Sequence, residues 1–212
     1  MRVVKQLKKF LLIILCTFLF VGCTVVRIDT ESIDNIIDVV LSKDNKLYNR
    51  VGKGYKYYVP KGVNYIDTSD LNDKLYSNGY YYYLYIDVNS YYNKIEFEYK
   101  EKDDVYYSRA LDVDGNKGYV EITKQDNGRY LVEFMYNYAK IEVSVYEDDI
   151  NLAVLNSSYI LSTIQYNKNV IKLMLKDDYF INKEESYDIF KPKMDDSERN
   201  DSLNFEVENE TE

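Results

Sequence analysis

Histidine and tryptophan are absent from the 212-residue chain, and the missing imidazole closes off whole classes of chemistry. There is no Ser-His-Asp triad, no Cys-His dyad and no His-ligated zinc. Proline (2) and glycine (8) are scarce. Cysteine occurs only at Cys16 and Cys23, both in the apolar stretch CTFLFVGCTV, residues 16–25. Such a stretch enters lipid or is removed, so the two are not read as a disulfide, and Cys16 counts as a small hydrophobe. Positive charge is also short. The formal net charge is −9, and Arg2, Lys5, Lys8 and Lys9 crowd four positives into the first nine residues. The remainder carries 23 basic against 36 acidic side chains. An acidic body argues against nucleic acid, whose phosphates require clustered Lys and Arg. It equally argues against electrostatic docking on anionic lipid, so membrane association is expected to come from an anchor.

What is abundant is tyrosine, with 25 residues, accompanied by Asn, Lys and Ile. These four share AT-rich codons, so compositional bias is the plain reading and selection for an aromatic binding surface the other. Apolar residues make up 46% of the chain, enough for one globular domain with end segments.

Residues 1–22 have the parts of a secretory signal: four positives, the apolar run 10–21, then Gly22 and Cys23. This resembles a bacterial lipoprotein signal, with Leu19-Phe20-Val21-Gly22-Cys23 matching the motif in which a small residue precedes an invariant Cys. The resemblance implies cleavage between Gly22 and Cys23, a diacylglyceryl-modified Cys23 as the mature N-terminus, and palmitate labelling. An extracytoplasmic, membrane-anchored location follows. An uncleaved span over 10–26 is the alternative, with 17 uncharged residues at the short limit for a bilayer.

Residues 23–30 read as a tether, and Thr30 or Ser32 can cap a helix over Ile33, Ile36, Ile37, Val40 and Leu41. Strands are expected at 55–59, ended by Pro60, and at 80–88. Another is expected at 95–100, where Ile95, Phe97 and Tyr99 alternate with Glu96, Glu98 and Lys100. Asp-Gly and Asn-Gly pairs in DGNKG and QDNGR place hairpin turns between strands near 105–113, 118–124 and 129–136. A further strand holds Ile141, Val143 and Val145. Ile150, Ala153, Val154, Ser157, Leu161 and Ile164 predict a helix over 148–164, and alternation over 170–175 predicts a final strand. The fold class is therefore α+β: an antiparallel β-meander sheet packed against an N-terminal and a C-terminal helix. One domain is assigned to 31–191, and the acidic, core-poor 192–212 is read as disordered. GYKYYVPKGV and the downstream YILSTIQYN resemble the opening strand and closing helix of PsbP-like domains. That resemblance implies an α-β-α sandwich with a non-enzymatic, accessory binding role. The chain also resembles surface lipoproteins of low-GC Gram-positive bacteria.

DVDGNKGYVE, residues 112–121, offers oxygen ligands at Asp112, Asp114 and Asn116, but Lys117 stands where a calcium loop needs Gly, and the twelfth position is no Glu. It reads as a hairpin turn, so no metal and no cofactor are expected. Glu96 and Glu98 share a strand face at glycosidase-like spacing, yet their alternation with apolar residues marks a solvated face. Tyr81, Tyr83 and Tyr85 project together from their strand. Exposed, they form a platform for a glycan or peptide; under a helix, they are core. The expected function is a membrane-anchored, non-enzymatic binding or accessory module for another envelope protein or glycan. A carboxylate-dependent glycan hydrolase and a passive surface protein are the alternatives.

Overall fold

Ten strands and four α-helices form the computed structural model, which describes Thr30 and residues 32–176. The signal-like segment, Gly22, Cys23, most of the tether and the tail expected at 192–212 lie outside the described residues. No helix among the described residues is long and apolar enough to cross a membrane.

Helix α1 (Ile33–Leu41) begins where the Ser32 hydroxyl accepts the Asn35 N–H, and Ile36, Ile37, Val40 and Leu41 make its buried stripe. A small sheet follows, β1 (Arg50–Val51) and β2 (Tyr55–Tyr57), joined later by β10 (Gln165–Tyr166) on the other side of β2. The main sheet is antiparallel with seven strands. One meander is β3 (Asn64–Ser69), β4 (Asn72–Ser77) and β5 (Tyr80–Ile86). The other is β6 (Tyr107–Val113), β7 (Asn116–Lys124), β8 (Tyr130–Tyr136) and β9 (Ala139–Val145). They are spliced by β5 against β9, with Tyr82 opposite Val143 and Ile86 opposite Ala139, giving the order β3-β4-β5-β9-β8-β7-β6.

The chain between β5 and β6 starts at the sheet centre and must reach the far edge. Asp87 ends β5 and caps α2 (Val88–Asn93), its carboxylate accepting the Ser90 N–H at 2.8 Å and hydroxyl at 2.6 Å. Residues 94–106 then run without regular structure. The expected strand at 95–100 is thus corrected. Its alternation of half-buried and exposed residues is real, but this segment crosses the sheet rather than pairing with it. After β9, a 3₁₀ turn (Glu147–Asp149) leads into α3 (Ile150–Ser162), within the helix expected at 148–164. The second correction is the final strand. Residues 170–175 lie in α4 (Lys168–Lys176), whose start is capped by Asn167 Oδ1 accepting the Asn169 and Val170 N–H groups at 3.2 Å each.

The core lies between one face of the main sheet and the two helices α1 and α3. Tyr82, Leu84, Val132, Phe134, Ile141 and Val143 all point there and are at most 1% exposed. They meet Ala153, Val154, Ile160 and Leu161 of α3, equally buried. Arg109 latches α1 over the β6 edge, Nη1 to Asp34 at 3.0 Å and Nη2 to Asp38 at 2.6 Å, while Tyr107 Oη donates to Asp34 at 2.7 Å. The small sheet is tied to β4 by buried Asp73, which accepts Tyr57 Oη at 2.6 Å and Thr68 Oγ1 at 2.5 Å. Burial and then the Asp73 charge push the Tyr57 hydroxyl far above its usual range, keeping it a donor.

Phe134 is 0% exposed at the centre of this layer. Phe134→Ala is expected to lower unfolding stability by about 3–5 kcal/mol, read as a shift in denaturant midpoint at unchanged slope.

Candidate functional site on the outer sheet face

Because strand side chains alternate, every residue between the core positions points to the opposite face, away from α1 and α3. Strand pairing lines these residues into rows. One row runs Lys74, Tyr83, Glu142, Glu133, Glu121, Ser108 across β4, β5, β9, β8, β7 and β6. The next row runs Asn72, Tyr85, Lys140, Met135, Tyr119, Ala110.

Three glutamates directly opposite one another repel, and such like-charge pairs destabilise a sheet. Two lysines offset the repulsion. Lys140 Nζ lies 2.7 Å from Glu142 Oε1 and 3.7 Å from Glu133 Oε1. The Lys140 and Glu142 side chains are each 2% exposed, so removing either partner strands a buried charge. At the other end, Glu121 receives Lys102 Nζ at 2.8 Å and Tyr99 Oη at 2.5 Å. Burial alone would raise the Glu121 carboxyl, but the Lys102 and Tyr99 hydrogen bonds and the Lys102 charge hold it below the ordinary carboxylate range. Lys102 is raised chiefly by its bond to Glu121. The Tyr99 hydroxyl is pushed up to about 12 by burial and by donating to Glu121.

Lys102 and Tyr99 belong to the segment crossing the sheet, which acts as a strap over this face. Tyr99 stacks on Tyr119 at 4.4 Å between centroids and 6° between planes, and Phe97 stacks on the same ring at 5.6 Å. Glu101 Oε1 accepts the Ala110 N–H at 2.7 Å and Ser108 Oγ accepts the Lys102 N–H at 2.9 Å. Side-chain and strap groups thus occupy the β6 edge, blunting it against further strand pairing.

Tyr81, Tyr83 and Tyr85 share this outer face and are half-buried; neither α1 nor α3 lies over them. Tyr76 packs on Tyr81 at 5.2 Å. Lys74 Nζ stands 4.4 Å from the Tyr81 ring centroid and 5.4 Å from that of Tyr83. Lys140 Nζ is 5.6 Å from the Tyr85 ring. Their edges are sealed by each other and by lysine stems, each residue keeps intermediate exposure, and the Tyr85 hydroxyl is buried, an arrangement between the two expected for them. Tyr91, on α2, is engaged elsewhere: it stacks on Tyr166 at 4.0 Å and meets Tyr138 edge-on at 5.9 Å. Glu96 and Glu98 are exposed on the strap, as expected for a solvated face.

Glu121, Glu133, Glu142 and Lys140 were not among the expected site residues. Each reads in sequence as an outward position of its own strand, and only register brings them together. Asp114 (φ +52°) and Gly115 (φ +79°) form the tight β6–β7 turn, and among the described residues no group of three or more His, Cys, Asp or Glu is placed to hold a metal ion. No protein-family model matches the chain, and no curated protein matches it either.

A depressed carboxyl contributes stability that is complete above its unfolded value and lost as pH falls through its folded value. Acidification from pH 6 to below about 4 should therefore loosen the strap, seen as faster amide exchange at Lys102 and Ala110 relative to the core. Glu121→Gln should show that faster exchange already at neutral pH; unchanged protection in the variant would remove Glu121 as the anchor.

Proposed function

We propose that the chain is a lipid-anchored extracytoplasmic protein whose α+β domain binds another envelope component, a glycan or an extended peptide, on the outer sheet face. The observation that carries this reading is the half-open row of Tyr81, Tyr83 and Tyr85 on the sheet face turned away from α1 and α3. Tyrosine offers large contact area with little side-chain entropy to lose. The row is already packed edge to edge with Tyr76 and Lys74, so little further ordering is needed to receive a ligand.

The anchor is supported by the four early positives, the apolar run and the Gly22-Cys23 pair. An acidic body needs such an anchor, because anionic lipid repels it. A diacylglyceryl group holds where a single acyl chain is marginal. A second reading, carboxylate-dependent glycan hydrolysis, is favoured by the in-register Glu121, Glu133 and Glu142, since neighbouring strands set adjacent members of the row about 5 Å apart. It requires the strap and the Lys140 pairing to open first, because Glu142 and Lys140 are buried.

Metabolic labelling with palmitate tests the anchor: the wild type should carry label and Cys23→Ser should not, whereas label on the variant would sink the lipidation reading. For the binding face, Tyr81→Ala with Tyr83→Ala should weaken binding to isolated envelope glycan or its protein fraction by about ten-fold at unchanged far-ultraviolet dichroism. That is the loss expected for two aromatic contacts of about 0.5–1.5 kcal/mol each. Equal binding by the double variant would move the ligand elsewhere.

A further inference from the structure

The acidic molecule has one end that is basic and apolar at once. A groove of about 720 Å³ lies between the β1–β2 turn, β10 and α4, lined among others by Val51, Lys53, Lys56, Lys168, Val170 and Met174. Its apolar parts are open to solvent, with Val51 73% and Val170 38% exposed. Leu173, 62% exposed on the same helix, and Tyr48, whose ring sits 3.8 Å from Lys56 Nζ, extend the apolar ground around it. Helix α4 is itself amphipathic and basic, with Lys168, Lys172 and Lys176 at four-residue spacing and no acidic residue. The groove frame is firm. Asn167 N–H donates to the Gly54 carbonyl at 2.8 Å, and Ile171 and Met174 close on Gly54, whose φ of +85° and lack of a side chain admit them.

Exposed aliphatic side chains inside a ring of lysines suit an acidic segment that also carries aromatic or aliphatic residues. The chain has one in the right place. Residues 177–212 follow directly from α4 and contain thirteen Asp and Glu against four Lys and Arg. Their first part, DDYFINKEESYDIF over 177–190, interleaves Asp177, Asp178, Glu184 and Glu185 with Tyr179, Phe180 and Ile181. Lys168 lies eight residues before Lys176, about 12 Å back along the helix. Five extended residues span about 16 Å, so Phe180 and Ile181 can reach the groove. Being on the same chain, the segment competes at millimolar effective concentration. The N-terminal apolar run is a poorer occupant. With its flanks it carries no Asp or Glu before Asp29 and four positives in the first nine residues, so it offers the lysines no carboxylate.

We propose that residues 177–190 fold back in cis onto the groove, their carboxylates on Lys53, Lys56 and Lys168 and their aromatic side chains on Val51, Val170 and Leu173. The contact masks the molecule's basic, apolar end from other acidic partners. It is independent of the lipid anchor and of the tyrosine row, so its failure leaves both standing.

The full chain lacks tryptophan, which makes Phe180→Trp a clean reporter. Its emission should be blue-shifted and shielded from iodide. Adding Lys53→Glu, Lys56→Glu and Lys168→Glu should return it to fully solvated emission, as should about 1 M salt, where screening falls to about 3 Å. Zero-length carbodiimide coupling of the unmodified full chain at high dilution supplies a second readout. Amide bonds should join carboxylates of 177–190 to Lys53, Lys56 or Lys168 within one molecule. Solvated emission that ignores the charge reversals overturns the proposal. So does coupling that reaches Lys74 and Lys117 equally, or coupling found only between two copies.

Discussion

Everything in the main sheet depends on the pairing of β5 with β9. Without it the chain has two separate meanders, three strands and four strands, each too narrow to cover α1 and α3. With it, Tyr82, Leu84, Ile141 and Val143 come side by side and the core becomes continuous. The same pairing puts β5 in the interior of the sheet and β6 at the edge, four strands apart. A connection between them has to travel about 20 Å across a face already carrying side chains. Residues 94–106 are that connection. Their irregular backbone is a consequence of direction, since a segment running across strands cannot join their ladder.

The crossing determines the chemistry of the outer face. A sheet covered by helices on one side commonly leaves the other side wet. Here the strap roofs the β6–β7–β8 region and leaves the β4–β5 region half open. Beneath and beside the roof, register sets Glu121, Glu133 and Glu142 in contact order, and Lys102 and Lys140 neutralise the row from its two ends. The tyrosines occupy the open part. One face is thereby divided into a closed charged region and an accessible aromatic one, and both follow from the topology.

Local signals were legible wherever a residue's neighbours in sequence decide its state. Ser32 and the Ile33–Leu41 stripe specify α1 to the residue, and Asp114-Gly115 and Asn127-Gly128 mark two hairpins. Strands β3 and β4 left no such mark, because 64–77 is mostly polar and β3 is an exposed edge. Alternation over 95–100 reported correctly which residues pack, but packing on one side does not reveal whether the backbone has a ladder partner. At 170–175 a two-residue pattern competed with the four-residue spacing of Lys168, Lys172 and Lys176, and the Asn167 cap was the deciding sign. The tyrosine row was visible as a row in YYYYLYI, whereas its exposure was not, since helix position is a tertiary fact. The glutamate row was invisible for a deeper reason: its members are separated by a turn and a register each time, and only pairing makes them neighbours.

The β5–β9 splice also orders events in time. Ile86 and Ala139 are 53 positions apart, whereas every hairpin in the second meander closes over a turn of a few residues. Local hairpins close in microseconds, and pairings across long loops wait for them. Contact order thus favours closing β6 to β9 before β5 docks. Until it docks, a seven-residue strand of five tyrosines, Leu84 and Ile86 has an unpaired flank with no charge and no proline to guard it. Docking of β5 on β9 is thus what closes that flank to pairing with another chain.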